Sequence, residues 1–184
     1  MSVKSLFKWS SGTLALVPGF AIILSNLGVP PGMSATLYGG IIEATGSITF
    51  LMMLLNKEKI SQWELAKVNK IAVVSFSIFV LACIGYLTLY NIQVAYSEKY
   101  DIRILFPFWN GEELGYMIRQ AGSRSLAIDN YGPAAIKDAI NKSAGSVEGT
   151  KILFSVLYIL LFEALVVAFG VLGFKGDTVD VDKN

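Results

Sequence analysis

The chain has 184 residues, of which 54% are hydrophobic and only 16% charged, with a mean hydropathy of +0.57. A soluble domain carries about a quarter charged residues; here the charges are missing from whole runs, between Lys8 and Glu43, Lys70 and Glu98, and Lys151 and Glu163, which implies an integral membrane protein. The net charge of +1 argues against nucleic acid as a partner, and the absence of histidine excludes imidazole metal sites, Ser-His or Cys-His nucleophile pairs and imidazole proton shuttles.

A membrane-spanning helix needs about 20 mostly apolar residues to cross roughly 30 Å of hydrocarbon. Residues 9–27, 35–55, 71–90 and 152–174 meet that length. The first stretch follows Lys4 and Lys8, as in a secretory signal. It lacks a small-residue cleavage site before Pro30-Pro31-Gly32, and a second span follows closely, so it is expected to stay in the membrane. Residues 25–34, "SNLGVPPGMS", carry two prolines, two glycines and no charge; they predict a tight turn between antiparallel helices. Residues 56–70 contain four lysines, two acids and Trp63, the composition of an interfacial connector. The single cysteine, Cys83, lies in the third span, so no intrachain disulfide forms.

Between the third and fourth spans, residues 93–150 carry six basic and seven acidic residues, too little positive charge for phosphate contacts. Helix punctuation divides this region. Asn110 suits a cap before Glu112 and Glu113, Gly122 a helix end, Ser123 the next cap, and Pro133 the first turn of a third helix. The preceding "RILFPFW" is read as either a short extended piece or a surface segment, and "SAGSVEGT" as a flexible return to the last span. The expected architecture is all-α: spans within 1–92, a small helical extramembrane domain over 93–150, a fourth span at 151–174 and a polar tail at 175–184.

Lysines set the orientation, because short cytoplasmic loops are enriched in Lys and Arg. Lys4, Lys8, Lys57, Lys59, Lys67, Lys70, Lys175 and Lys183 fall on one side of a four-span layout. Both termini are therefore expected in the cytoplasm, in a membrane of the bacterial inner type. A short first loop and a large loop before the last span are similar in layout to tetraspanins. The similarity ends at topology, because that family's large loop depends on cysteine pairs and this one has none.

The chemistry-bearing candidates are two carboxylates inside apolar runs, Glu43 in "GGIIEATGSITF" and Glu163 in "LLFEALVVAFG". Residues three and four apart share a helix face, which groups Thr36, Gly39, Gly40, Ala44, Gly46 and Ser47 around Glu43. Small residues at such spacing favour close helix packing, so Thr36, Gly39, Gly40 and Ala44 are expected packing positions and Glu43 is expected to face protein. A charge at that depth costs at least a few kcal/mol and must be neutralised by a proton, paired or hydrated. Within the four expected spans there is no Lys or Arg to pair with it.

Three readings follow for Glu43 and Glu163, with Thr45 and Ser47 as polar neighbours: interhelical hydrogen-bonding contacts, a path for protons or cations, or a binding pocket for a lipid or a partner helix. The expected function is a small oligomeric membrane channel or pore-type protein that passes protons or cations along these glutamates and is gated by its loop domain. The alternatives are a membrane-disrupting effector of bacterial stress or antiviral defence triggered through that domain, and a non-conducting accessory subunit. Expected partners are the lipid bilayer, further copies of the chain, and a protein bound through 93–150. No cofactor, metal site or enzymatic activity is expected: polar catalytic clusters and nucleotide motifs are missing, and the aspartates of the tail lack the pattern of a calcium loop.

Overall fold

The computed structural model describes residues 29–181; the expected first span, residues 9–27, lies outside them. The chain enters through a turn in which the Met33 amide donates to the Pro30 carbonyl at 3.1 Å and Gly32 adopts a φ of +80°. Ser34 then caps α1 (Ala35–Leu55) by accepting from the Leu37 amide. After Asn56, the connector forms a single short helix, α2 (Lys57–Ser61). It leads into α3 (Leu65–Gln93), which begins and ends beyond the expected apolar limits. The longest helix, α7 (Ala144–Val181), continues through the start of what the sequence suggests is a polar tail.

Three of these helices, α1, α3 and α7, are long and apolar enough to cross a membrane, and the protein is mostly helical. α7 is the central element. It packs most extensively on α3 and less so on α1. Antiparallel packing on α3 is marked by edge-on pairs of Phe76 with Phe169 at 5.5 Å and Tyr86 with Phe154 at 5.3 Å. Against α1 the direction is parallel, from the Tyr38–Ser155 hydroxyl pair to the Phe50–Phe174 stack. α1 buries no residue fully, as expected of an outer helix whose remaining surface meets lipid or another helix.

A compact unit joins α3 to α7 and departs from the all-helical expectation. α3 runs directly into β1 (Val94–Ser97), which pairs antiparallel with β2 (Ile102–Leu105), Val94 opposite Leu105. The extended reading of "RILF" is the one the fold adopts. Ile102 and Ile104 flank the exposed Arg103, and Ile104, Leu105 and Phe106 are all buried, a β-branched and apolar run suited to a strand packed into a core. The hairpin turn places Asp101 at a φ of +49°, a conformation aspartate tolerates.

Three helices follow: α4 (Glu112–Ala121), α5 (Arg124–Tyr131) and α6 (Pro133–Asn141). Their boundaries obey the expected punctuation. Gly122 at φ +85° ends α4, Ser123 accepts from the Leu126 amide, and Pro133 opens α6. The cap of α4 is Gly111 rather than Asn110. Phe106, Leu114, Ala127, Ile128 and Ile136 are fully enclosed at the centre of this unit.

The expected flexible return, "SAGSVEGT", is instead the approach to α7 and its first turns. Ser143, Ser146 and Thr150 accept hydrogen bonds from the amides of Gly111 (2.9 Å), Trp109 (2.8 Å) and Phe108 (3.1 Å). Three hydroxyls on one side of the helix thus satisfy backbone donors of a neighbouring irregular segment. No local signal reveals this, because the amides they serve lie more than thirty residues away.

Candidate functional site

Glu163 sits twelve residues from both Lys151 and Lys175 on α7, near the middle of the Gly145–Lys175 span. Its Oε2 accepts a 2.6 Å hydrogen bond from Thr49 Oγ1 on α1. Its Oε1 is buried and has no hydrogen-bond partner among the described residues. The carboxylate is therefore held by one helix contact and keeps one oxygen open to a further donor. Leaving a buried acceptor unmatched costs about 1–3 kcal/mol.

Thr49 was not among the sequence candidates. It lies one turn past Thr45, and in a helix of period 3.6 both point toward the same neighbour. Thr45 turns back on its own helix, donating to the Ile42 carbonyl at 3.3 Å, so Thr49 alone of the two reaches across. Gly46 lies between them, and a Cβ there would meet Val166 at 3.6 Å, so α1 and α7 are in van der Waals contact beside the carboxylate.

Glu43 is placed differently. It is exposed, as are Thr36, Gly39, Gly40, Ala44 and Ser47, and it forms no hydrogen bond or ion pair among the described residues. A Cβ at Gly39 or Gly40 would meet nothing within 4 Å. The face expected to pack is thus uncovered among the described residues. Close approach occurs instead at Gly85 against Leu157 and at Gly170 against Met53, where a Cβ would lie 2.6 Å from the Met53 methyl.

Glu43 precedes Thr49 by six residues, about 9 Å along the axis and roughly 240° around it. The two glutamates are therefore offset by nearly two helical turns along α1 and lie on different faces. Glu163 points into the α1–α7 contact, and Glu43 points away from it.

Above Glu163 the bundle is lined with aromatics. Tyr158 meets Phe162 at 5.4 Å, Tyr86 at 5.8 Å and Tyr38 at 6.2 Å. This cluster joins the bundle to the hairpin unit through Leu105 and Phe108. A second tie is Arg124 on α5, which donates to the Ile92 carbonyl and to Gln93 Oε1 at the end of α3 and lies 5.1 Å from the Phe106 ring. A cation at a helix C-terminus is favoured by the helix dipole. Burial pushes this guanidinium below its ordinary value. The unit is therefore fastened to both α3 and α7, with no linker at either junction.

No family model, curated protein or solved structure matches this chain.

Proposed function

We propose that the protein is a small oligomeric channel or pore-type membrane protein, with residues 9–27 as a fourth span, in which Glu163 contacts the permeating proton or cation. The observation that carries this reading is the open Oε1 of Glu163, buried at mid-span without a partner among the described residues. Ionisable residues inside the membrane commonly mark ion pathways and proton relays.

One carboxylate and one hydroxyl form too small a donor set for a divalent ion, which needs about six to eight oxygens. A proton, or a monovalent ion that keeps some of its water, fits better. Four helices enclose no wide lumen, so conduction calls for several copies around an axis, with the exposed Glu43 face of α1 available to that assembly. The unit from β1 to α6 is the gate in this scheme, because a rotation of it moves the ends of α3 and α7 together.

The test is reconstitution of purified protein into liposomes, with proton and potassium flux measured for wild type, Glu163→Gln and Glu43→Gln. Flux that falls by an order of magnitude or more in Glu163→Gln is the expected result. Flux unchanged by that substitution, or no flux from folded wild type with and without a pH gradient, would overturn the proposal in favour of a non-conducting accessory subunit.

A further inference from the structure

A groove of about 760 Å³ lies beside α4, lined among others by Trp109, Glu112, Gly115, Tyr116 and Arg119. Its height relative to a bilayer follows from α7. The Gly145–Lys175 span has 31 residues, about 46 Å of helix. Bilayer hydrocarbon takes up about 30 Å and the layer including headgroups about 40–45 Å. With the excess divided equally between the two ends, roughly the first five residues of that span lie among the headgroups. The amides of Trp109 and Phe108 are bonded to Ser146 and Thr150 within those turns, so the groove is tied to headgroup height.

Its chemistry is complementary to that layer. Trp109 is 76% exposed and Tyr116 55% exposed, large aromatics of the kind that settle at membrane interfaces. Glu112, Gly115, Tyr116 and Arg119 share one face of α4 by their three- and four-residue spacing. Gly115 has no side chain, and Arg119 folds back over it, with Nη1 3.3 Å from where a Cβ would stand. The guanidinium is thereby brought to within about one helical turn of Glu112. Neither group forms an ion pair among the described residues, whereas the adjacent Glu113 is taken by Lys142.

The geometry points to a binding site for a zwitterionic phospholipid headgroup in this groove. Arg119 takes the phosphate, a contact that guanidinium geometry favours. The ammonium lies against Trp109 and Tyr116, with Glu112 as its counter-charge, an arrangement that draws on cation–π attraction. A cation and an anion one turn apart match the separation of amine and phosphate in such a headgroup. This site stands independently of conduction past Glu163.

The test uses the full chain with Trp109 as its only tryptophan (Trp9→Phe, Trp63→Phe), reconstituted into vesicles of equal phosphatidylethanolamine and phosphatidylglycerol. One lipid or the other carries brominated acyl chains, and quenching of Trp109 fluorescence is compared. Brominated phosphatidylethanolamine should quench at least about twofold more strongly, the preference that an exposed cation–π contact confers. Arg119→Gln and Glu112→Gln, both at exposed positions, should abolish that preference with the far-UV circular dichroism unchanged. Equal quenching by both lipids, stronger quenching by phosphatidylglycerol, or no quenching with the emission of a water-exposed tryptophan would each overturn the assignment. The last outcome would indicate a groove that faces solvent or another protein.

Discussion

Replacing Glu163 by leucine should leave the protein as stable as wild type, or more stable, while abolishing the flux proposed to pass it. Leucine eliminates the unmatched Oε1, whose burial costs about 1–3 kcal/mol, and it also loses the Thr49 hydrogen bond. Interhelical hydrogen bonds in membranes average about 0.6 kcal/mol and reach about 1.7. The difference places Glu163→Leu between roughly neutral and about 2 kcal/mol more stable. Thr49→Val tests the same contact from its other side. In wild type it leaves both oxygens of Glu163 unmatched and should destabilise by about 1–3 kcal/mol, whereas in the Glu163→Leu background it should have little effect. Reversible unfolding in mixed micelles, followed by far-UV circular dichroism, measures all four corners of this cycle. A loss of more than about 2 kcal/mol in Glu163→Leu would show that the second oxygen is satisfied in the native protein. The glutamate would then be a structural contact, and the reasoning that gives it a conducting role would fail.

Thr150→Val should destabilise the junction between the hairpin unit and α7 by about 1–3 kcal/mol, because it strands the part-buried amide of Phe108; Thr150→Ser should retain most of the stability, and equal losses in chemical unfolding of the two variants would refute the hydrogen-bond account. Alkaline pH should loosen the same unit. Lys142 is pushed above its ordinary value by hydrogen bonds to Glu113 and then Asp138, and Tyr96 is pushed above its own chiefly by its hydrogen bond to Asp101. A raised folded-state value stabilises fully below the unfolded value and is lost as pH climbs through the folded one, so Tm should hold steady to about pH 10 and fall above it. Both groups are exposed and the effect is small, but Lys142→Met with Tyr96→Phe should flatten it; a decline that begins below about pH 9 would contradict this origin.

What the sequence determined by itself is what depends on local chemistry. Predominantly apolar runs of spanning length mark α1, α3 and α7 as helices able to cross a membrane, because hydrocarbon admits only backbones that satisfy their own hydrogen bonds. Gly122, Ser123 and Pro133 punctuate α4, α5 and α6, because each acts on its own or adjacent backbone. Glu163 stood out for the same reason, as an isolated charge in an apolar run.

Tertiary structure decided which face of each helix is used. In lipid-like sequence nearly every face is apolar, so periodicity carries little information, and small residues suggested a packing surface at Gly39 and Gly40 that is uncovered among the described residues. Contacts at Gly46, Gly85 and Gly170 depend on which helices meet, as does the choice of Thr49 over Thr45 as the partner of Glu163. The hydroxyls of Ser143, Ser146 and Thr150 looked like a flexible link because their partners lie more than thirty residues away. Side chains that serve distant backbone leave no pattern in their own neighbourhood, and only the folded chain brings the two together.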